Sequence, residues 1–235
     1  MRKDLLKTLI EICGQKYSEI LGIELSSAND AEVFKWFLAS VLFGSPITEK
    51  AAIKTYRCFE KHGVLTSQRI LKTEWDGLVK ILDEGSYTRY DFKTADKLLE
   101  IAKNLTEKYG GSITSLHTNA SDKLDLEKRI KSLGKGIGDV TVSIFLRELR
   151  DIWEKADPNV TQLEILGAKK LRILKIEDKE NALKKLKQFW SKNSIEGKSF
   201  INFETSLLRI GKSTRRNRKC VTCPVKGDCQ ARTVP

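Results

Sequence analysis

Apolar residues recur along most of this chain with the 3.6-residue period of a helix buried on one side. Phe34, Phe37, Leu38, Val41 and Leu42 fall at i, i+3, i+4, i+7 and i+8 and line one face. Asn29 and Asp30 stand where N-caps belong, and Gly44 with Pro46 stops the run. Leu98, Ile101, Ala102 and Leu105 repeat the pattern, and Gly110-Gly111 ends it. Similar signals predict helices over 48–61, 66–83, 123–133, 139–153, 179–192 and 198–210. Alternating β-branched runs, the mark of half-buried strands, are nearly absent. The pattern predicts an all-α fold. Neither a low-complexity linker nor an internal repeat interrupts it.

Between two of these helices runs Leu133-Gly134-Lys135-Gly136-Ile137-Gly138-Asp139-Val140-Thr141, with Gly136 and Gly138 flanking one aliphatic residue. So tight a turn favours glycine, because it demands positive φ and close chain approach. The helix that follows starts with N–H groups lacking helical partners, and these favour an anion. Gly134, Lys135, Gly136, Gly138 and Val140 are the candidate anion-binding positions, with Lys131 adding charge beside them. The segment is similar to the helix-hairpin-helix of proteins that bind DNA without reading its sequence. The plainer alternative is an interhelical turn.

Charge favours the first reading. Among 235 residues, 43 Lys and Arg face 31 Asp and Glu, a formal net charge of +12. Such an excess attracts polyanions through long-range attraction and counterion release, although lysine-rich solvated helices also produce it. Residues 1–23 carry Asp4, Lys7, Glu11, Lys16 and Glu19, which excludes a signal peptide or a membrane span there. No other stretch offers about 18 uninterrupted apolar residues. The expectation is an intracellular protein with reduced thiols, no membrane association and no obligate protein partner. Its five cysteines are then no disulfide framework. Three of them, Cys220, Cys223 and Cys229, follow the basic run Arg215, Arg216, Arg218 and Lys219. That run reads as a DNA phosphate contact or as a solvated tail.

Five segments in order resemble the endonuclease III-like DNA glycosylases, the helix-hairpin-helix-GPD superfamily. The first is the helix Phe34–Leu42 with Gly44-Ser45-Pro46-Ile47-Thr48-Glu49-Lys50-Ala51 after it. Asp91-Phe92-Lys93-Thr94-Ala95 precedes the helix of Leu98–Leu105, and the Gly136-Ile137-Gly138 hairpin comes third. Ala156-Asp157-Pro158-Asn159-Val160 is fourth, and Cys220-x2-Cys223-x5-Cys229 closes the series. The resemblance spans 29–229 and implies a two-lobed helical fold. A six-helix bundle over 28–139 would end in the hairpin. Residues 1–27 with 140–235 would form the second lobe, carrying the catalytic Asp and the cysteines. Duplex DNA with a lesion or mismatch would bind in the cleft between them.

Within that resemblance Asp157 is the catalytic carboxylate, 19 residues beyond Gly138. Cleaving an N-glycosidic bond builds positive charge on the sugar, as in other glycoside cleavage. A fixed anion stabilises that charge and orients or deprotonates the attacking water. Asp157 also suits a turn, or a cap for a helix after Pro158. Bifunctional members carry a Schiff-base Lys two residues after the second hairpin glycine, and here that residue is Val140. Val has no nucleophile, so the expectation is a monofunctional glycosylase in which water attacks. Many members place a Gln in the loop that here reads Gly44-Ser45-Pro46, to fill the gap left by a flipped nucleotide. Ser45 and Pro46 lack its reach. Flipping is still required, and Trp36, Tyr87 and Tyr90 are aromatics able to stack on a base, or ordinary core.

The family holds a [4Fe–4S] cluster with C-x6-C-x2-C-x5-C, and the first ligand position here is Ser213. Three thiolates with another donor, zinc, or no metal all fit Cys220, Cys223 and Cys229. Cys13 and Cys58 are remote in sequence. The rival to the enzyme is a DNA-binding relative whose catalytic centre has decayed. An unrelated helical RNA-binding or scaffold protein is the third reading, disfavoured by Asp157 and the cysteine trio.

Overall fold

The structure is a computed structural model that describes residues 3–175, 178 and 180–215, with Thr214 and Arg215 described in backbone only. Every regular element among these residues is helical. The chain forms two compact units: Ser18–Pro158, and Met1–Tyr17 with Asn159–Pro235. This division differs from 28–139 against 1–27 with 140–235. The physical reason lies in residues 140–158, where Phe145 packs on Phe37 of the first unit and Trp153 stacks on its His117.

The larger unit is built around α3 (Asp30–Phe43). Nine of its residues are buried, including Val33, Trp36, Ala39 and Ser40 beyond the expected face. A helix buried on most sides sits inside a domain rather than on it. The Asn29 side chain caps it by accepting from the Ala31 amide. Around α3 lie α4 (Glu49–Lys61), α5 (Ser67–Glu84), α6 (Asp91–Tyr109), α7 (Thr114–Asn119), α8 (Lys123–Lys131) and α9 (Asp139–Arg147). Thr48, Thr66 and Asp122 cap α4, α5 and α8 through their side chains, and left-handed Gly110 ends α6. Helix α5 breaks its helical geometry at Glu74 (φ 57°), which period counting did not foresee. Asp30 accepts from Ser112 and Thr114, tying the start of α7 to the start of α3.

The second unit packs α1 (Lys3–Cys13), α10 (Gln162–Lys170), α11 (Ala182–Asn193) and α12 (Phe200–Arg215). A short α2 (Tyr17–Ile20) spans the boundary between the units. Leu6, Ile10, Ile165, Leu186, Phe203 and Leu207 form its core. Helices α10 and α12 approach so closely that a methyl on Gly167 would overlap the Leu207 carbonyl, and one on Gly211 the Leu163 carbonyl. Phe203 gathers the rings of Phe189, Trp190 and Phe200 within 6.0 Å. Arg209 donates to the carbonyls of Cys13 and Gln15 at 2.6 and 2.7 Å, satisfying groups at the end of α1. Among the described residues no helix is long and apolar enough to cross a membrane.

Candidate active site

The hairpin joins α8 to α9 against the middle of α6. Ile137, its aliphatic residue, is buried, and its amide donates to the Gly134 carbonyl at 3.2 Å. Gly136 has φ +86°, where an L side chain is strained. Gly138 departs from expectation: its φ is −103° and it is the N-cap of α9. Positive φ at both glycines is therefore corrected to positive φ at Gly136 alone. What distinguishes Gly138 is space, since a methyl there would meet nothing within 4 Å. Gly134 is fixed by packing, because a methyl would come within 2.9 Å of the Ile101 side chain. Val140 is turned to solvent, 57 % exposed on the first turn of α9.

Two carboxylates already occupy part of the hairpin's donor set. The Lys135 amide donates to Glu100 Oε2 of α6 at 2.8 Å. Lys131 Nζ pairs with Asp139 Oδ1 at 2.5 Å. An anion approaching the hairpin meets the open backbone around Gly138 rather than the Lys135 amide.

Helix α9 stops at Arg147, short of the predicted 153, and the chain continues through turns to Ala156. This stretch is held at several points. Trp36 Nε1 donates to the Phe145 carbonyl at 3.0 Å, and Phe37 meets the Phe145 ring edge-on at 5.0 Å. Trp153 packs edge-on against Phe145 at 5.6 Å and stacks on His117 of α7 at 5.0 Å, the planes 13° apart. Lys155 Nζ donates to the His117 carbonyl at 2.9 Å, and its amide to His117 Nε2 at 3.4 Å. The Arg150 side chain, 5 % exposed, ion-pairs Asp157 through Nη1 and donates to the Pro158 carbonyl through Nη2. Asp157 itself keeps 35 % of its side chain in solvent.

The result is a carboxylate in the same unit as the hairpin, positioned by a guanidinium and still reachable from water. Such a preset anion stabilises positive charge without reorganising when the charge appears. Asp157 caps no helix: α10 begins after Thr161, which forms a capping box with Glu164.

Of the aromatics, Trp36 and Tyr87 are core, 0 % and 1 % exposed, so neither stacks on a flipped base in this conformation. Tyr90 is half-buried, with the Arg89 guanidinium 5.5 Å from its ring centroid. The half-buried Ser45 hydroxyl donates to the Val41 carbonyl at 3.5 Å, turned back along α3. Arg216, Arg218, Lys219, Cys220, Cys223 and Cys229 lie outside the described residues, as does the Arg215 side chain. Ser213 is exposed near the end of α12. Cys13 packs beside Leu9 and Ile210, while Cys58 is buried in α4. No group of three or more His, Cys, Asp or Glu able to hold a metal occurs among the described residues.

Arg150 and His117 escaped the sequence reading. The available signal was charge within apolar sequence: Arg147, Glu148 and Arg150 interrupt the run Phe145-Leu146 to Leu149. Charged residues in such a setting are almost never buried without partners. No family model and no curated protein matches the chain.

Replacing Arg150 with Met removes both bonds to the 157–158 turn. Because Asp157 is partly hydrated, the expected loss is about 1–3 kcal/mol in urea unfolding, less than for a fully buried pair. Arg150→Lys should recover only part of it, since an ammonium lacks the two-pronged geometry.

His117 supplies a pH dependence. Burial first, then the Lys155 ammonium, holds its imidazole below the ordinary 6.5, with Glu154 opposing. Between those two values the unfolded chain carries the extra proton, so acid favours unfolding. Stability from the neutral ring is fully present above pH 6.5 and declines as pH falls through the folded value. The Glu84 carboxyl, held down to about 2 by Lys61 and then His62, titrates below this window. His117→Phe should flatten the urea midpoint between about pH 7 and 5.

Proposed function

We propose that this chain is a monofunctional DNA glycosylase of base-excision repair, acting on a damaged or mismatched base in duplex DNA. The observation that carries the reading is Asp157: a partly exposed carboxylate held by the buried side chain of Arg150, at the end of the segment that the hairpin begins. The order of motifs resembling the endonuclease III-like family supports it, as does the charge of +12. The proposed fold is accordingly the two-lobed form of that family.

In this reading the hairpin holds a backbone phosphate near the lesion, a contact that positions the duplex and reads no base. The lesion nucleotide leaves the stack. As the base departs, the sugar takes on oxocarbenium character, and the Asp157 carboxylate stabilises it through charge. Water then attacks the anomeric carbon and loses a proton to the Asp157 carboxylate or to solvent, the departing base takes up a proton, and an intact abasic site remains. Solvent-facing Val140 offers no amine for a Schiff base at the family's lysine position. Arg215, Arg216, Arg218 and Lys219 are proposed as further phosphate contacts. Cys220, Cys223 and Cys229 are proposed to hold a [4Fe–4S] cluster or zinc as a structural site, one thiolate short of a full set. No step of the reaction runs through that metal.

One observation favours the rival, a binding protein without activity. An aspartate paired with a buried arginine is also what a purely structural turn requires. The two readings part on a single substitution. Wild type should release free base from at least one member of a lesion panel, and Asp157→Asn should lose on the order of 10²-fold or more in single-turnover rate. Equal rates would remove Asp157 from the chemistry. Borohydride should trap no covalent DNA adduct at a rate comparable to base release.

A further inference from the structure

Three cationic side chains lie around the hairpin, and their surroundings differ. Lys131 is paired with Asp139. Lys135 extends into solvent while its amide engages Glu100. Lys97, on α6, is half-buried, and its Cε and Nζ lie 3.2 and 3.5 Å from where a methyl on Gly136 would sit. Its ammonium thus rests over the one left-handed glycine of the hairpin. Lys97 makes no hydrogen bond or ion pair among the described residues, and burial alone lowers its pKa from the usual lysine value.

We propose that Lys97 is the cation of the hairpin's DNA contact, its ammonium pairing with a backbone phosphate laid against Gly136 and Gly138. This rests on the DNA-binding part of the function proposed above and not on base release. A half-buried ammonium without a counterion is unfavourable, and an arriving oxyanion offsets that cost. Neither carboxylate beside the hairpin pairs with Lys97: Glu100 of α6 accepts the Lys135 amide and Asp139 of α9 pairs with Lys131. Gly136 and Gly138 are exposed, and a methyl on Gly138 would meet nothing within 4 Å, which leaves room for a phosphate on the hairpin beside the ammonium.

The test compares wild type, Lys97→Met and Lys97→Arg for affinity to a labelled duplex carrying a tetrahydrofuran abasic site, and to the same duplex intact. Affinity is read from about 50 to 200 mM KCl. Lys97→Met should weaken both complexes alike and lower the slope of log K against log salt by about 1. Lys97→Arg should keep the wild-type slope. The urea midpoint of Lys97→Met should stay equal or rise, because an uncompensated cation has been removed. An unchanged slope overturns the proposal, as does affinity lost only in proportion to lost stability, or no duplex binding by wild type. Failure of the glycosylase reading appears elsewhere, as absent base release, and leaves this comparison intact.

Discussion

The packing of Phe145 onto α3 is the contact on which the candidate site depends. Its carbonyl accepts from Trp36, and its ring meets both Phe37 and Trp153 edge-on. Upstream of it, α9 carries the hairpin. Downstream, Trp153 carries the chain to His117, and Arg150 holds Asp157. One buried ring therefore links the glycine turn to the carboxylate through a short path of packed side chains. Rigidity of this kind is what a preset electrostatic site needs, because small displacements of a charged group forfeit much of its effect.

Much of the helical framework was legible in the sequence because local chemistry decides it. The helices expected over 48–61 and 66–83 begin where Thr48 and Thr66 cap them, and Gly110 ends α6 as a left-handed residue. The failures came where tertiary contacts overrule period. Apolar spacing continues past Arg147 through Leu149 and Trp153, yet the helix ends at a C-cap, Glu148, whose buried carboxylate accepts the Ser18 amide at 2.9 Å. The break at Glu74 and the short helix α7, organised by the distant Asp30, leave no mark in a window of local sequence.

The site divides the same way. Glycine content pointed to the hairpin, and Asp157 was singled out by the resemblance of its motif and of its distance from Gly138 to the family pattern. The partners did not show. Arg150 looks like one helix cation among many, and Lys97 like one lysine in a basic protein, until the fold buries the first side chain and half-buries the second. Gly138 illustrates the limit of reasoning by residue type alone: its value is the empty space before it, not an unusual φ.

The central claim is that Asp157 presents fixed negative charge to a sugar becoming positive. The most direct measurement compares duplexes carrying a cationic pyrrolidine abasic analogue with those carrying its neutral tetrahydrofuran counterpart. Wild type should prefer the cationic sugar on the order of tenfold or more, in keeping with tighter binding of transition-state mimics. Asp157→Asn should abolish that preference while retaining affinity for the neutral duplex. Equal wild-type affinity for the two analogues would contradict the account.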